Sequence, residues 1–113
     1  MLTASEIIEL NRRLGGGVRY SAPVEIALHQ GGGKNVYRQI AYLWIAILVG
    51  HPFIDGNKRT AYLVARHLLK RSGITISAAG KVRLQEEVKE IASKNIENIV
   101  IVERRVRYAV KGA

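Results

Sequence analysis

Cysteine is missing altogether, and with it go disulfides, thiolate zinc sites, iron–sulfur clusters and a cysteine nucleophile. The absence fits a reducing compartment. Acidic residues are scarce: 9 Asp and Glu stand against 18 Lys and Arg, a formal charge of +9 and a pI near 10.3. Such a surface favours an anionic partner, whether nucleotide phosphates, nucleic acid or an acidic protein. No apolar run reaches the length of a bilayer; the longest, Ile40 to Val49, falls well short. The amino terminus lacks a basic flank, apolar segment and small-residue cleavage site in order, so a cytoplasmic protein is expected. No segment alternates apolar and polar residues long enough to make a sheet, and no fixed-period repeat occurs.

What is there is ordinary globular material. The 113 residues are 48% hydrophobic and 24% charged, the length of one domain spanning residues 1–113. A chain of this size buries roughly two-thirds of its unfolded surface, so it needs no staple. Thr3 with Glu6 makes a capping-box pattern, and Ile7, Leu10 and Leu14 then recur at helical spacing. A short helix is expected after Ser21, with Pro23 in its first turn and Ile26 and Leu28 inward. Asn35 can cap a third helix, Val36 to Val49, which is apolar nearly all round and stopped by Gly50. A fourth runs from Asn57 to about Ser72. Two amphipathic helices follow, near Lys81–Ser93 and Ile96–Val110, the last capped by Asn95 with Glu103, Arg104 and Arg107 in solvent. The expected fold is all-α, a single bundle of about six helices with two very apolar ones at the centre.

One segment differs from the rest: His51-Pro52-Phe53-Ile54-Asp55-Gly56-Asn57-Lys58-Arg59-Thr60-Ala61. It gathers a base, a carboxylate, a turn glycine, an amide and two cations between two buried helices, where polarity is costly unless used or satisfied. Gly56 permits a tight turn, and a helix then opens at Asn57. A helix start offers unpaired N–H groups and a positive dipole end, an anion site. Lys58 and Arg59 add charge there. The segment therefore reads as phosphate held at a helix start, beside a base and a carboxylate able to hold a metal.

This segment resembles the signature of the Fic/Doc family, H-x-F-x-D/E-G-N-x-R, at every fixed position: His51, Phe53, Asp55, Gly56, Asn57 and Arg59. The loop between two central helices and the order of the preceding helices are similar too. The resemblance implies a compact Fic/Doc-type bundle with the motif loop between its two central helices. It implies His51 as the catalytic base on the acceptor hydroxyl and Asp55 as the ligand of Mg²⁺. Gly56, Asn57, Lys58 and Arg59 would bind the phosphates of ATP, and Phe53 would anchor the loop to the core. Lys58 stands where the adenylyltransferase branch has glycine, and Tyr62 where it has a second arginine. In both respects the chain looks like the Doc (death-on-curing) toxin branch. That branch implies transfer of the γ-phosphoryl group of Mg-ATP to a hydroxyl of a translation elongation factor, within a toxin–antitoxin pair. The alternatives are a Fic-type protein nucleotidyltransferase and an inactive basic binding module of the same fold. Ser21 to Glu25 begins the family's inhibitory pattern, but Ile26 breaks it, which favours a separate acidic antitoxin as partner. Tyr20 replaces the aspartate usual in Doc-like chains.

Other features carry less. Gly31-Gly32-Gly33-Lys34-Asn35 fails as a P-loop, since Leu28 occupies its first glycine position and no strand precedes it. A linker, or a flap beside the site, is the expectation. His29 and His67 read as ordinary surface or boundary residues, and Trp44 as core. Arg104, Arg105 and Arg107 lack the helix-turn-helix spacing or aromatic interleaving of a nucleic-acid face, so nucleic acid is not an expected partner.

Overall fold

Six helices form in the computed structural model, which describes residues 2–112: α1 (Ala4–Arg13), α2 (Ala22–Gly31), α3 (Val36–Leu48), α4 (Asn57–Arg71), α5 (Ala78–Lys94) and α6 (Ile99–Lys111). The fold is all-α, as expected. Among the described residues no strand forms, and only an isolated antiparallel bridge joins Val18 to Phe53. None of these helices is long and apolar enough to cross a membrane.

The apolar circumference of α3 is explained by its place. It packs against α2, α4, α5 and α6 and buries Ile40, Leu43, Trp44, Ile47 and Leu48 among them. The Trp44 indole N–H donates to the Ala61 carbonyl at 2.9 Å inside the core, joining α3 to α4. A buried indole so satisfied contributes its area without an orphaned donor. Side-chain caps start four helices as the pattern requires. Thr3 and Glu6 close a full capping box on α1, while Asn35, Ser77 and Asn98 accept from the first turns of α3, α5 and α6.

Three local expectations are corrected. In α2 the inward stripe is Val24, Ala27 and Gly31, whereas Ile26 lies off that stripe and is 57% exposed. Asn95 does not open α6; it ends α5 in the left-handed region at φ 49°, and Asn98 opens α6 by accepting from Val100 and Ile101. Asparagine suits both positions, which is why spacing alone misplaced the boundary. Glu103 is not solvated. Its side chain is 13% exposed and pairs with Arg38 of α3 and Arg107 of its own helix. Burial pushes its carboxyl up, but the Arg38 guanidinium outweighs this and leaves it below the ordinary carboxylate value.

Candidate active site

Residues 49–56 join the end of α3 to the start of α4. His51 takes the left-handed region at φ 48°, just before Pro52, whose ring keeps its predecessor out of the right-handed helical region. The histidine is exposed, whereas Pro52 and Phe53 behind it are buried. The Phe53 ring, 1% exposed, anchors the loop in the core.

The loop is tied from three sides. Residues 17–20 run beside it: Pro52 O accepts from the Arg19 N–H at 2.7 Å, and the Ile54 N–H donates to Gly17 O at 2.8 Å. From α4, the Asn57 amide accepts from the Phe53 N–H at 3.3 Å and donates to the Phe53 carbonyl at 3.0 Å. Asn57, expected at the phosphates, thus has its amide engaged in closing the loop. From α1, Asn11 is fully buried; its Nδ2 donates to Asp55 O at 2.7 Å and to Thr60 Oγ1 at 3.1 Å.

Gly56 takes φ 75° as the residue before α4. A side chain there would be strained by that angle, and its Cβ would sit 3.3 Å from Asn11 Nδ2. The Gly56 N–H donates to Asp55 Oδ1 at 2.7 Å, holding an otherwise exposed carboxylate. No side chain caps α4, and its first turn has no acid but carries exposed Lys58 and Arg59. Unpaired N–H groups, the positive dipole end and two cations therefore coincide, an arrangement that attracts an anion.

These groups share one cleft of about 360 Å³, lined by His51, Asp55, Gly56, Asn57, Lys58 and Arg59 over an apolar floor that includes Leu48 and Ala92. All the site residues expected from sequence meet there except Phe53, which holds the loop from beneath. A second cleft of about 310 Å³ shares Lys58 and Arg59 and extends between α4 and α5 past Tyr62 and Lys89. The Tyr62 hydroxyl accepts from Arg66 at 3.0 Å. Glu25 is exposed, and no hydrogen bond or ion pair joins it to Arg59 among the described residues.

Chemically, the cleft can place phosphate oxygens at the start of α4 with an imidazole alongside. As to a metal, no group of three or more acidic or histidine side chains could hold one among the described residues. A lone exposed carboxylate fits Mg²⁺ that arrives with phosphates and water, since this ion commonly takes only one or two protein carboxylates.

Asn11 is the residue that sequence reasoning missed. Its signal was available: a polar side chain one turn after Ile7, on the same inward stripe of α1. Gly16 belongs with it, because a Cβ there would come within 2.3 Å of Asn11 Oδ1. Of the linker and flap readings of the glycine stretch, the linker holds. Gly31 packs on Gln39 near the start of α3, about 14 Å of helix before its end; the segment beside the site is residues 17–20.

Residues 22–69 match the model of the Fic/DOC family. The matched span runs from the start of α2 almost to the end of α4 and contains the whole motif. Comparisons with curated proteins and with solved structures found no match.

Proposed function

We propose that the chain is a transferase of Fic/Doc type, moving the γ-phosphoryl group of ATP to a hydroxyl side chain of another protein. The observation that carries this reading is the uncapped start of α4, where Lys58 and Arg59 flank left-handed Gly56 in one cleft with His51 and Asp55. In this reading the N–H groups of the first turn, Lys58 and Arg59 bind the phosphates and neutralise charge as transfer proceeds. His51 takes the proton of the acceptor hydroxyl. The acceptor oxygen bonds to the γ-phosphorus while the bond to the β–γ bridging oxygen breaks, and ADP leaves. Asp55 would hold magnesium, which would supply positive charge to neutralise the phosphates. Asn57, Asn11 and Phe53 keep the loop in shape, so His51 and the α4 start need no rearrangement between turnovers.

Lys58 favours phosphoryl over nucleotidyl transfer. Its side chain lines the cleft, where a glycine would leave more room for the inner phosphates. Ile54 of the loop and Val18 and Tyr20 of the segment beside it are exposed apolar side chains, a surface on which an acceptor protein can dock. A translation elongation factor as that acceptor, and a separate acidic antitoxin as inhibitor, rest on the motif's resemblance. Tyr62, standing where an inhibitory glutamate would meet an arginine, agrees with an inhibitor supplied by another chain. The test is mass spectrometry of a candidate elongation factor incubated with the protein and ATP labelled at either the α- or the γ-phosphate. Phosphate mass with γ-label is expected. Nucleotide mass with α-label would replace this reading with nucleotidyl transfer, and no adduct with any acceptor would leave a binding module.

A further inference from the structure

At the far end of α4, a further basic cleft of about 450 Å³ opens between that helix, residues 74–76 and the first turn of α5. It is larger than the motif cleft. Arg66, Lys70, Lys81, Thr75 and His67 line it, with no carboxylate among its walls. Counting along α4, Lys70 lies about 18 Å from Lys58, so the two clefts cannot share one small ligand.

We propose that this cleft binds a small molecule carrying two adjacent phosphates. The first support is charge. Seven ion pairs form among the described residues, and none includes Arg66, Lys70 or Lys81. The carboxylates of the neighbouring cleft that shares His67, Glu6 and Glu9, pair instead with Arg71 and with Arg12 and Arg13. Three cations thus line one cleft without an ion-pair partner, a wall that favours an anion of two or more charges. The second support is chemistry. Arg66 spends one arm on the Tyr62 hydroxyl and keeps further donors, and Thr75 adds an exposed hydroxyl. His67, which lines both clefts, has its Nε2 buried without a hydrogen-bond partner. The volume suits a ligand of nucleotide size or less. The inference stands apart from the transferase reading, because none of its residues belongs to the motif.

The experiment is a titration of isotope-labelled protein with inorganic pyrophosphate, and in a parallel arm with ADP, at constant ionic strength, read by NMR. Saturable shifts of the Thr75 amide and the His67 imidazole are expected. Lys70→Ala with Lys81→Ala should weaken binding at least about tenfold, from the loss of charge-assisted contacts. Arg59→Ala, which does not touch the lining of this cleft, should leave these signals and their midpoint unchanged. Tighter binding of ADP than of pyrophosphate identifies a nucleotide as the occupant, and the reverse a free diphosphate. Responses confined to the motif, or a double variant that binds like the parent protein, would overturn the proposal.

Discussion

Asn11→Asp is the sharpest test of how the motif loop is held. The change preserves shape but removes both donors that reach Asp55 O and Thr60 Oγ1. Two net hydrogen bonds are worth about 1–3 kcal/mol, and a buried, unpaired carboxylate facing a carbonyl at that position costs more. Asn11→Ala loses the bonds without adding charge, so about 2 kcal/mol is expected for it. For a chain of this size that lowers Tm by roughly 8 °C. The two variants should diverge with pH. The introduced carboxyl is buried beside an acceptor, which raises its folded pKa above the unfolded value of about 3.9. Its extra penalty is therefore absent below that unfolded value, grows as pH rises, and is complete above the folded pKa. In its protonated form it regains one donor for Asp55 O. Thermal unfolding from pH 4 to pH 8, with transferase activity at each point, measures this. If Asn11→Asp unfolds like the parent protein at pH 8, or tracks Asn11→Ala at every pH, the clamp has been misread.

Four further outcomes follow from the same geometry. His51→Ala should cost about 10²–10⁴-fold in transfer with the fold intact, because the side chain is exposed; circular dichroism beside the labelling assay separates the two. Lys58→Gly should lower γ-phosphoryl transfer by about 10²–10³-fold, and weak α-label transfer would mark a nucleotide gaining a second pose. Gly56→Ala should destabilise by about 1–2 kcal/mol through its left-handed φ, read as a shifted denaturation midpoint with the slope unchanged. Glu103→Gln should lower Tm at neutral pH, since the native carboxyl lies below its ordinary value. The native pair's contribution is present above the unfolded pKa and lost as pH falls through the folded one, so the two melting curves should merge in acid.

Much of this was legible along the chain because the signals were local. Caps at Thr3 and Asn35, the apolar circumference of α3 and the dense polarity of residues 51–61 each declare themselves within a few positions. What escaped depends on partners far away in sequence. Asn11 meets the motif across 44 and 49 residues, and nothing near it says which carbonyl it will find. Ile26 and Val24 are equally apolar, and only the placement of α2 on α3 decides that Val24 goes inside. Glu103 looked like surface charge until Arg38, 65 residues earlier, came to lie beside it. The role of Asn57 was hidden differently. A side-chain amide serves a phosphate or a backbone equally well, and only the fold of the loop shows that Phe53 has its attention.

The ties around the loop also decide where this chain can change length. Residues 14–21 between α1 and α2 must fold Gly16 against Asn11 and then lie with Gly17 and Arg19 bonded to the loop. That stretch is metered: an added residue would slip one partner out of register with the other. The turn at Gly32–Lys34, at the opposite end of α3, is exposed and touches none of these contacts. One pole of the bundle therefore fixes the spacing of its connections, and the other is where a descendant sequence can lengthen, shorten or accept a fused segment without disturbing the site.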